Sequence, residues 1–249
     1  MSKNTERNAA KNEAVENKYA VYAAGGIFTH HDLAMNVFIK DSVWRHSDGK
    51  FELVLPQSKE LRELDRPDIA AYIRNVDLAH VVQSDLFLAR FDGLELDAGT
   101  IIEFMLAKFL GKPTVILRCD SRRSGGESLD EPYNLMVKNW PRTTEVHYDS
   151  LIKFTGGFAE EWKMLGNVST FQTTIKAELR TVMRGIDEIA QQIIGGLETV
   201  LEMKSPYPDE YQEIVYKIIR HSPGSGFEQL ISEEDLTILV RKFRESGTL

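Results

Sequence analysis

The chain has 249 residues, of which 42% are hydrophobic and 27% charged, and its net charge at neutral pH is -8. That length allows one large domain or an ordinary domain with an appendage, and no apolar run approaches the roughly 18–20 residues of a bilayer span. The acidic balance argues against a broad polynucleotide-binding face. The single cysteine, Cys119, excludes an intramolecular disulfide framework and fits a reducing, cytoplasmic location.

Residues 1–18 are polar, lack the apolar stretch of a secretory signal, and are expected to form a flexible tail. Tyr19 to Ala24 (YAVYAA) predicts a first strand ending at Gly25-Gly26. Asp32 to Trp44 carries Leu33, Val37, Phe38 and Val43 near helical spacing. Phe51 to Leu55 predicts a second strand stopped by Pro56, and Pro67 suits the first turn of a helix running to about Gln83. Asp85 to Phe91 is a third strand, Ile101 to Leu110 a helix ending at Gly111, Pro113 to Arg118 a fourth strand and Thr144 to Tyr148 a fifth. Arg118, Arg122 and Arg123 form the one tight basic cluster, which reads as a solvated loop.

Strands alternating with helices predict a doubly wound α/β domain with a five-stranded parallel sheet, and continuous apolar runs such as PTVIL fit strands covered on both faces. In such sheets ligands sit beyond the carboxyl ends of the strands. The last part has another texture. Thr173 to Lys204 predicts a long amphipathic helix with Gly195-Gly196 as a weak point, and Asp209 to His221 and Gln229 to Glu245 predict two more. The expected division is a tail over 1–18, an α/β domain over 19–153 and a helical extension over 154–249 that packs on the sheet or on another subunit.

The segment from Ser84 to Pro113 concentrates the chemistry: Asp92, Asp97 and Glu103 crowd one strand-to-helix junction, and the preceding helix carries Asp77. Thr100-Ile101-Ile102-Glu103 fits a capping box, in which Glu103 serves only the helix start. The same placement in a first helical turn also favours an ionised carboxylate able to attack an anomeric carbon, with a second acid such as Asp97 or Asp77 protonating the leaving group. Asp77 equally fits a helix-surface carboxylate, and Asp92-Gly93 a turn.

Asp97-Ala98-Gly99-Thr100-Ile101-Ile102-Glu103 resembles the D-x-G-x-x-x-E motif of nucleoside 2-deoxyribosyltransferases. Tyr22 to Phe28 resembles that family's first strand and glycine-containing loop, Asp77-Leu78 and Ser84-Asp85 its helix and third-strand start, and Pro132 to Met136 its P-x-N-L-M segment. Leu55-Pro56-Gln57 is a weaker match, and the resemblance spans about Tyr19 to Tyr148. It implies a flavodoxin-like fold and a deoxyribosyl group passed between nucleobases through a covalent intermediate on Glu103. Asp97 would move protons to and from the base, with Asp77 in support. Tyr22 would orient the nucleophile, Phe28 and Gln57 would line the base pocket, and Gly99, Asn134 and Met136 would contact substrate. Asn134 would bind sugar hydroxyls in a neighbouring subunit's site, so a homo-oligomer is implied. Deoxyribonucleosides and free nucleobases are the implied partners, and no cofactor is required. Read alone, Asn134 fits a loop cap, and Tyr22 and Phe28 fit core aromatics. The 100 or so residues after the fifth strand depart from the family pattern.

Two other functions fit the same residues. One is an N-glycosidase acting on deoxynucleosides or their 5-prime-monophosphates with water as acceptor. The other is a non-catalytic nucleotide-sensing module, whose helical extension transmits a signal. Ala24-Gly25-Gly26 lacks the spacing of a dinucleotide site, and adjacent His30-His31 lacks the spacing and third ligand of a metal site.

Overall fold

The computed structural model describes residues 18–58, 65, 67–123, 131–165 and 170–249. All of the expected N-terminal tail but Lys18 lies outside the described residues.

Among the described residues there are five strands: β1 (Tyr19–Ala24), β2 (Phe51–Val54), β3 (Leu86–Arg90), β4 (Thr114–Arg118) and β5 (Thr143–His147). They form one sheet in the order β2-β1-β3-β4-β5 with every pair parallel, the flavodoxin-like doubly wound arrangement. All five residues of LFLAR in β3 and of TVILR in β4 are buried, as expected of strands covered on both sides. The helices are α1 (His30–His46), α2 (Ile69–Gln83), α3 (Ala98–Phe109), α4 (Ser150–Leu165), α5 (Phe171–Leu201), α6 (Asp209–His221) and α7 (Glu233–Glu245). Among the described residues between β4 and β5, helical geometry is confined to one 3-10 turn at Leu135–Val137.

Several helix starts differ from expectation because short polar side chains set them: Thr170 caps α5, which begins at Phe171 rather than Thr173, and Ser232 caps α7, which begins at Glu233 rather than Gln229. Thr29 caps α1 through a reciprocal pair of bonds with Asp32, so α1 begins at His30. Asp97 caps α3 through the Thr100 amide, so α3 begins at Ala98 rather than Ile101. Helix α4 was not anticipated. Gly156 and Gly157 interrupt its pattern, and none of its residues is buried.

The core has three parts. On one face, Ile39 and Val43 of α1 join Val21, Leu53, Leu88, Val115 and Leu117. Ile189, Ile193, Leu197 and Val200 from the lower half of α5 complete that layer. The expected weak point at Gly195-Gly196 lies inside a continuous helix. A Cβ on Gly196 would stand 3.2 Å from Val115, so the glycine lets α5 lie directly on the sheet. On the other face, Val81 of α2 and Phe104 and Ala107 of α3 cover Tyr22, Phe87, Ala89 and Ile116. The third part joins Leu78, Val82 and Leu110 to Tyr216, Phe227, Leu236 and Phe243 of the C-terminal segment.

Candidate active site

Parallel strands followed by crossover helices bring the loops after β1, β2, β3 and β4 to one edge of the sheet. Tyr22 is buried in β1 and packs against Phe87, with ring centroids 5.9 Å apart. Phe87 in turn meets Phe104 of α3 at 6.4 Å. This apolar ladder fixes β1 against α3, and the Tyr22 hydroxyl donates a 2.7 Å hydrogen bond to Glu103 Oε1. Burial, the Glu103 charge and that hydrogen bond all push the Tyr22 hydroxyl far up, so it stays a donor at any working pH.

Glu103 does not make a capping box. Asp97 is the N-cap residue, which places Glu103 at the sixth helical position, in the second turn. The helix dipole weakens beyond the first turn, and the Tyr22 hydroxyl supplies a direct polar contact to the carboxylate there.

Asp97 accepts hydrogen bonds from the Thr100 amide (2.8 Å) and hydroxyl (2.9 Å), both at Oδ2. The cap geometry involves Gly99 too, because a Cβ there would come within 3.1 Å of the same oxygen. Asp97 lies six positions before Glu103, an offset of about 9 Å along the axis and about 120° around it. Asp77 is half-buried in the middle of α2, the helix beside α3.

The remaining expected residues sit on loops at the rim. Phe28 is 83% exposed between β1 and α1, and Met136 is 77% exposed. Gln57 is anchored at both ends of its amide, donating to Leu33 O (2.9 Å) and accepting from Asn36 (2.8 Å), which ties the segment after β2 to α1. Asn134 is exposed and its Oδ1 accepts from the Met136 amide at 2.9 Å, capping the 3-10 turn. Tyr133 and Val137 on either side are buried with Tyr22 and Phe104, so residues 134–136 are held at the border of that cluster.

Two arginines at strand ends carry structural work that sequence reasoning missed. Arg90, the last residue of β3, donates to Gly26 O (3.2 Å) and to Asp32 Oδ1 (3.0 Å), supporting the glycine loop from below. Burial raises the Asp32 carboxyl, but the Thr29 hydroxyl and Arg90 outweigh it and leave it below the usual range. Arg118, the last residue of β4, is buried rather than part of a solvated basic loop. Its guanidinium donates to Phe91 O (2.6 Å), Gly93 O (3.1 Å) and Arg122 O (2.6 Å). Arg122 is bound to Asp120 at 2.6 Å, so Arg118 and Arg122 are both engaged within the fold. Asp92 accepts from the amides of Cys119 (2.6 Å) and Asp120 (3.0 Å), and Gly93 has φ +93°, which makes Asp92-Gly93 a braced turn between the β3 and β4 loops. The signal available in sequence was a single cation closing each otherwise apolar run. Among the described residues no group of three or more His, Cys, Asp or Glu side chains converges as a metal site.

Fold and site together define an open α/β domain with a carboxylate-bearing helix presented at the carboxyl edge of its sheet. Residues 21–136 match the family model described as nucleoside 2-deoxyribosyltransferase, and that stretch is a domain of this family. A domain of that kind supports chemistry at N-glycosidic bonds, by transfer or hydrolysis. Similar solved structures include the 2-deoxyribosyltransferase of Bacillus psychrosaccharolyticus, 19% identical with a TM-score of 0.40, covering 62% of this chain and 95% of that one. The 2-desoxiribosyltransferase of Leishmania mexicana is 22% identical with a TM-score of 0.40, covering 60% and 99%. The CMP N-glycosidase of Clostridium botulinum is 17% identical with a TM-score of 0.34, covering 52% and 88%. No curated protein matches the chain significantly. No helix among the described residues is long and apolar enough to cross a membrane.

Proposed function

We propose that this chain transfers a 2-deoxyribosyl group between nucleobases, with Glu103 as the nucleophile. The observation that carries this reading is the 2.7 Å hydrogen bond from the buried Tyr22 hydroxyl to Glu103 Oε1, inside a domain of a family of that activity. The Glu103 carboxylate attacks the anomeric carbon, displacing the first base and leaving a glycosyl ester. The second base then attacks the same carbon and releases Glu103. Asp97 gives a proton to the departing base and takes one from the incoming base. Its offset from Glu103 suits a proton site on a nucleobase ring, which lies farther from the anomeric carbon than a glycosidic oxygen does. Asp77 supports the base side. Phe28 and Gln57 line the base pocket, and Gly99, Asn134 and Met136 contact substrate, with Asn134 completing the site of a neighbouring copy.

Incubation of the protein with deoxyadenosine, with and without a second free base, tests the reaction by product chromatography. A new nucleoside is expected when the acceptor base is present. Free deoxyribose as the main product with excess acceptor base would instead make the chain a hydrolase. Glu103→Gln is expected to lower turnover by at least about 1000-fold while leaving the thermal midpoint within a few degrees, because the residue is only half-buried. Wild-type turnover in that variant would remove Glu103 from the chemistry.

A further inference from the structure

Helix α5 is 31 residues long, about 46 Å, but only its lower half meets the sheet. Its apolar stripe is continuous. Ile186, Ile189, Ile193, Leu197 and Val200 are buried, and the same stripe continues upward through Val182, Leu179, Ile175 and Phe171, which are exposed. Leu179 is 60% exposed and Phe171 80%. Helix α4 runs beside this upper half and buries none of its own residues. One side of α4 carries Leu151, Phe154, Phe158 and Trp162, spaced three, four and four residues apart. The rings of Phe154 and Phe158 stack at 6.0 Å, and those of Phe158 and Trp162 meet at 5.7 Å. Phe154 and Val182 line one groove between the two helices, beside Met35 of α1. The other side of the pair is polar: Lys153, Glu160, Arg184 and Glu188 line a separate cavity there. The α4–α5 pair is thus an amphipathic hairpin whose apolar side is left uncovered by the described residues, and it lies outside the residues matched by the family model.

We propose that two copies of this chain associate through the apolar side of the α4–α5 hairpin, the two hairpins packing as a four-helix interface. Three observations select a second copy as the occupant. First, the exposed apolar side chains named above leave on the order of 700 Å² open per copy. That exceeds the largest patch of a typical monomer, and it is close to the roughly 800 Å² that each partner buries in a standard interface. Second, a stripe of aliphatic and aromatic residues on a helix pair is complementary to itself under a two-fold rotation, which is what an isologous interface requires. Third, its flanks carry both signs, with Lys176, Arg180 and Arg184 among Glu160, Glu161 and Glu178, and Arg180 is bound to Glu161 at 3.1 Å. A helix lying on an anionic lipid surface would carry a predominantly basic polar face instead. The hairpin rises from the carboxyl edge of the sheet: Ser150 donates its amide to Cys119 O, and Cys119 donates its own to Asp92 in the loop that leads to Asp97. A partner docked there stands beside the loops of the candidate site.

Sedimentation of the full chain tests the proposal. The wild type is expected at twice 28.3 kDa or a larger multiple at micromolar concentration. Leu179→Glu is expected to weaken self-association by about 100-fold or more, because each interface would bury two unpaired carboxylates, and to yield a smaller assembly. Leu151→Glu, on the other helix, should do the same. Leu179→Gln, with an unchanged circular dichroism melt, guards against loss of folding. A wild-type monomer at about 100 μM overturns the proposal, as does an assembly of unchanged mass in folded Leu179→Glu and Leu151→Glu. Binding to anionic vesicles that is lost in Leu179→Glu, with no self-association of the wild type, assigns the surface to lipid and likewise overturns it.

Discussion

Tyr22 is a side chain that holds Glu103 in position. The two are 81 residues apart in sequence, and their contact is a neutral hydroxyl donating to a carboxylate at 2.7 Å. Hydrogen bonds to charged groups contribute about 1.5–3 kcal/mol. Tyr22→Phe keeps the ring that packs on Phe87 and removes only the donor. In that variant Glu103 loses its fixed rotamer more than its chemistry, so kcat is expected to fall about 10- to 100-fold with little change in KM. The thermal midpoint should move by only a few degrees. Steady-state kinetics on the deoxyadenosine reaction measure the first effect and a calorimetric melt the second. An unchanged kcat would leave the Tyr22 hydroxyl as a packing feature only.

At the scale of the element, helix α3 gives Asp97 two roles that substitution can separate. As N-cap it satisfies the Thr100 amide, and Asn does this as well as Asp, whereas Ala costs about 1 kcal/mol. As a proton carrier it needs a titrating carboxyl, which Asn lacks. Asp97→Asn is therefore expected to retain stability and lose about 100-fold or more in turnover, while Asp97→Ala loses both. Equal loss of stability in the two variants would contradict the capping assignment, and full turnover in Asp97→Asn would confine Asp97 to the cap. The strands of this fold were legible because each is a short apolar run between clear stops, and burial on both faces leaves such runs no alternation to misread. The helix starts were less legible. A Thr-x-x-Glu spacing in Thr100 to Glu103 looks like a cap, but Asp97 three residues earlier competes for the same amide and wins. Helix α4 was hidden because Gly156 and Gly157, both poor helix formers, interrupt the middle of its apolar pattern. The Tyr22–Glu103 contact could not come from spacing at all, since it depends on where β1 and α3 meet. It was legible only through the family resemblance.

On the scale of the whole molecule, the amino edge of the sheet holds the C-terminal helices through buried cations. Lys112 is fully buried and its Nζ donates to Ser84 O. It lies 4.4 Å from the Phe243 ring centre and 5.5 Å from that of Tyr216. Asp85, which could hold its charge, is bound to Lys242 at 2.9 Å. Burial is the largest influence and lowers the Lys112 ammonium to about 7; Asp85 pulls it up, and Lys242 and Arg142 push it further down. Lys108 is also lowered to about 7, by burial and then by Arg142, while its Nζ reaches Lys112 O (2.9 Å), Thr114 Oγ1 (2.9 Å), Thr143 Oγ1 (2.9 Å) and Arg142 O (3.3 Å). In the unfolded chain both lysines titrate near their ordinary 10.5. Between pH 7 and 10.5 the unfolded chain therefore binds more protons than the folded one, and stability rises with pH by up to ~1.4 kcal/mol per pH unit for each lysine. Below pH 7 both states are protonated, so the full penalty of the buried charge is present and the slope disappears. Above pH 9 the Cys119 thiol, raised by burial and then by Asp92, pulls the other way, because the unfolded thiol ionises first. The usable window is thus about pH 7 to 8.5. Urea unfolding across it is expected to show rising stability in the wild type and a slope reduced by about one proton in Lys112→Met, which keeps the chain's length and removes the titrating group. The same slope in wild type and variant would mean that Lys112 stays charged in the folded protein, held by Ser84 O and the two rings.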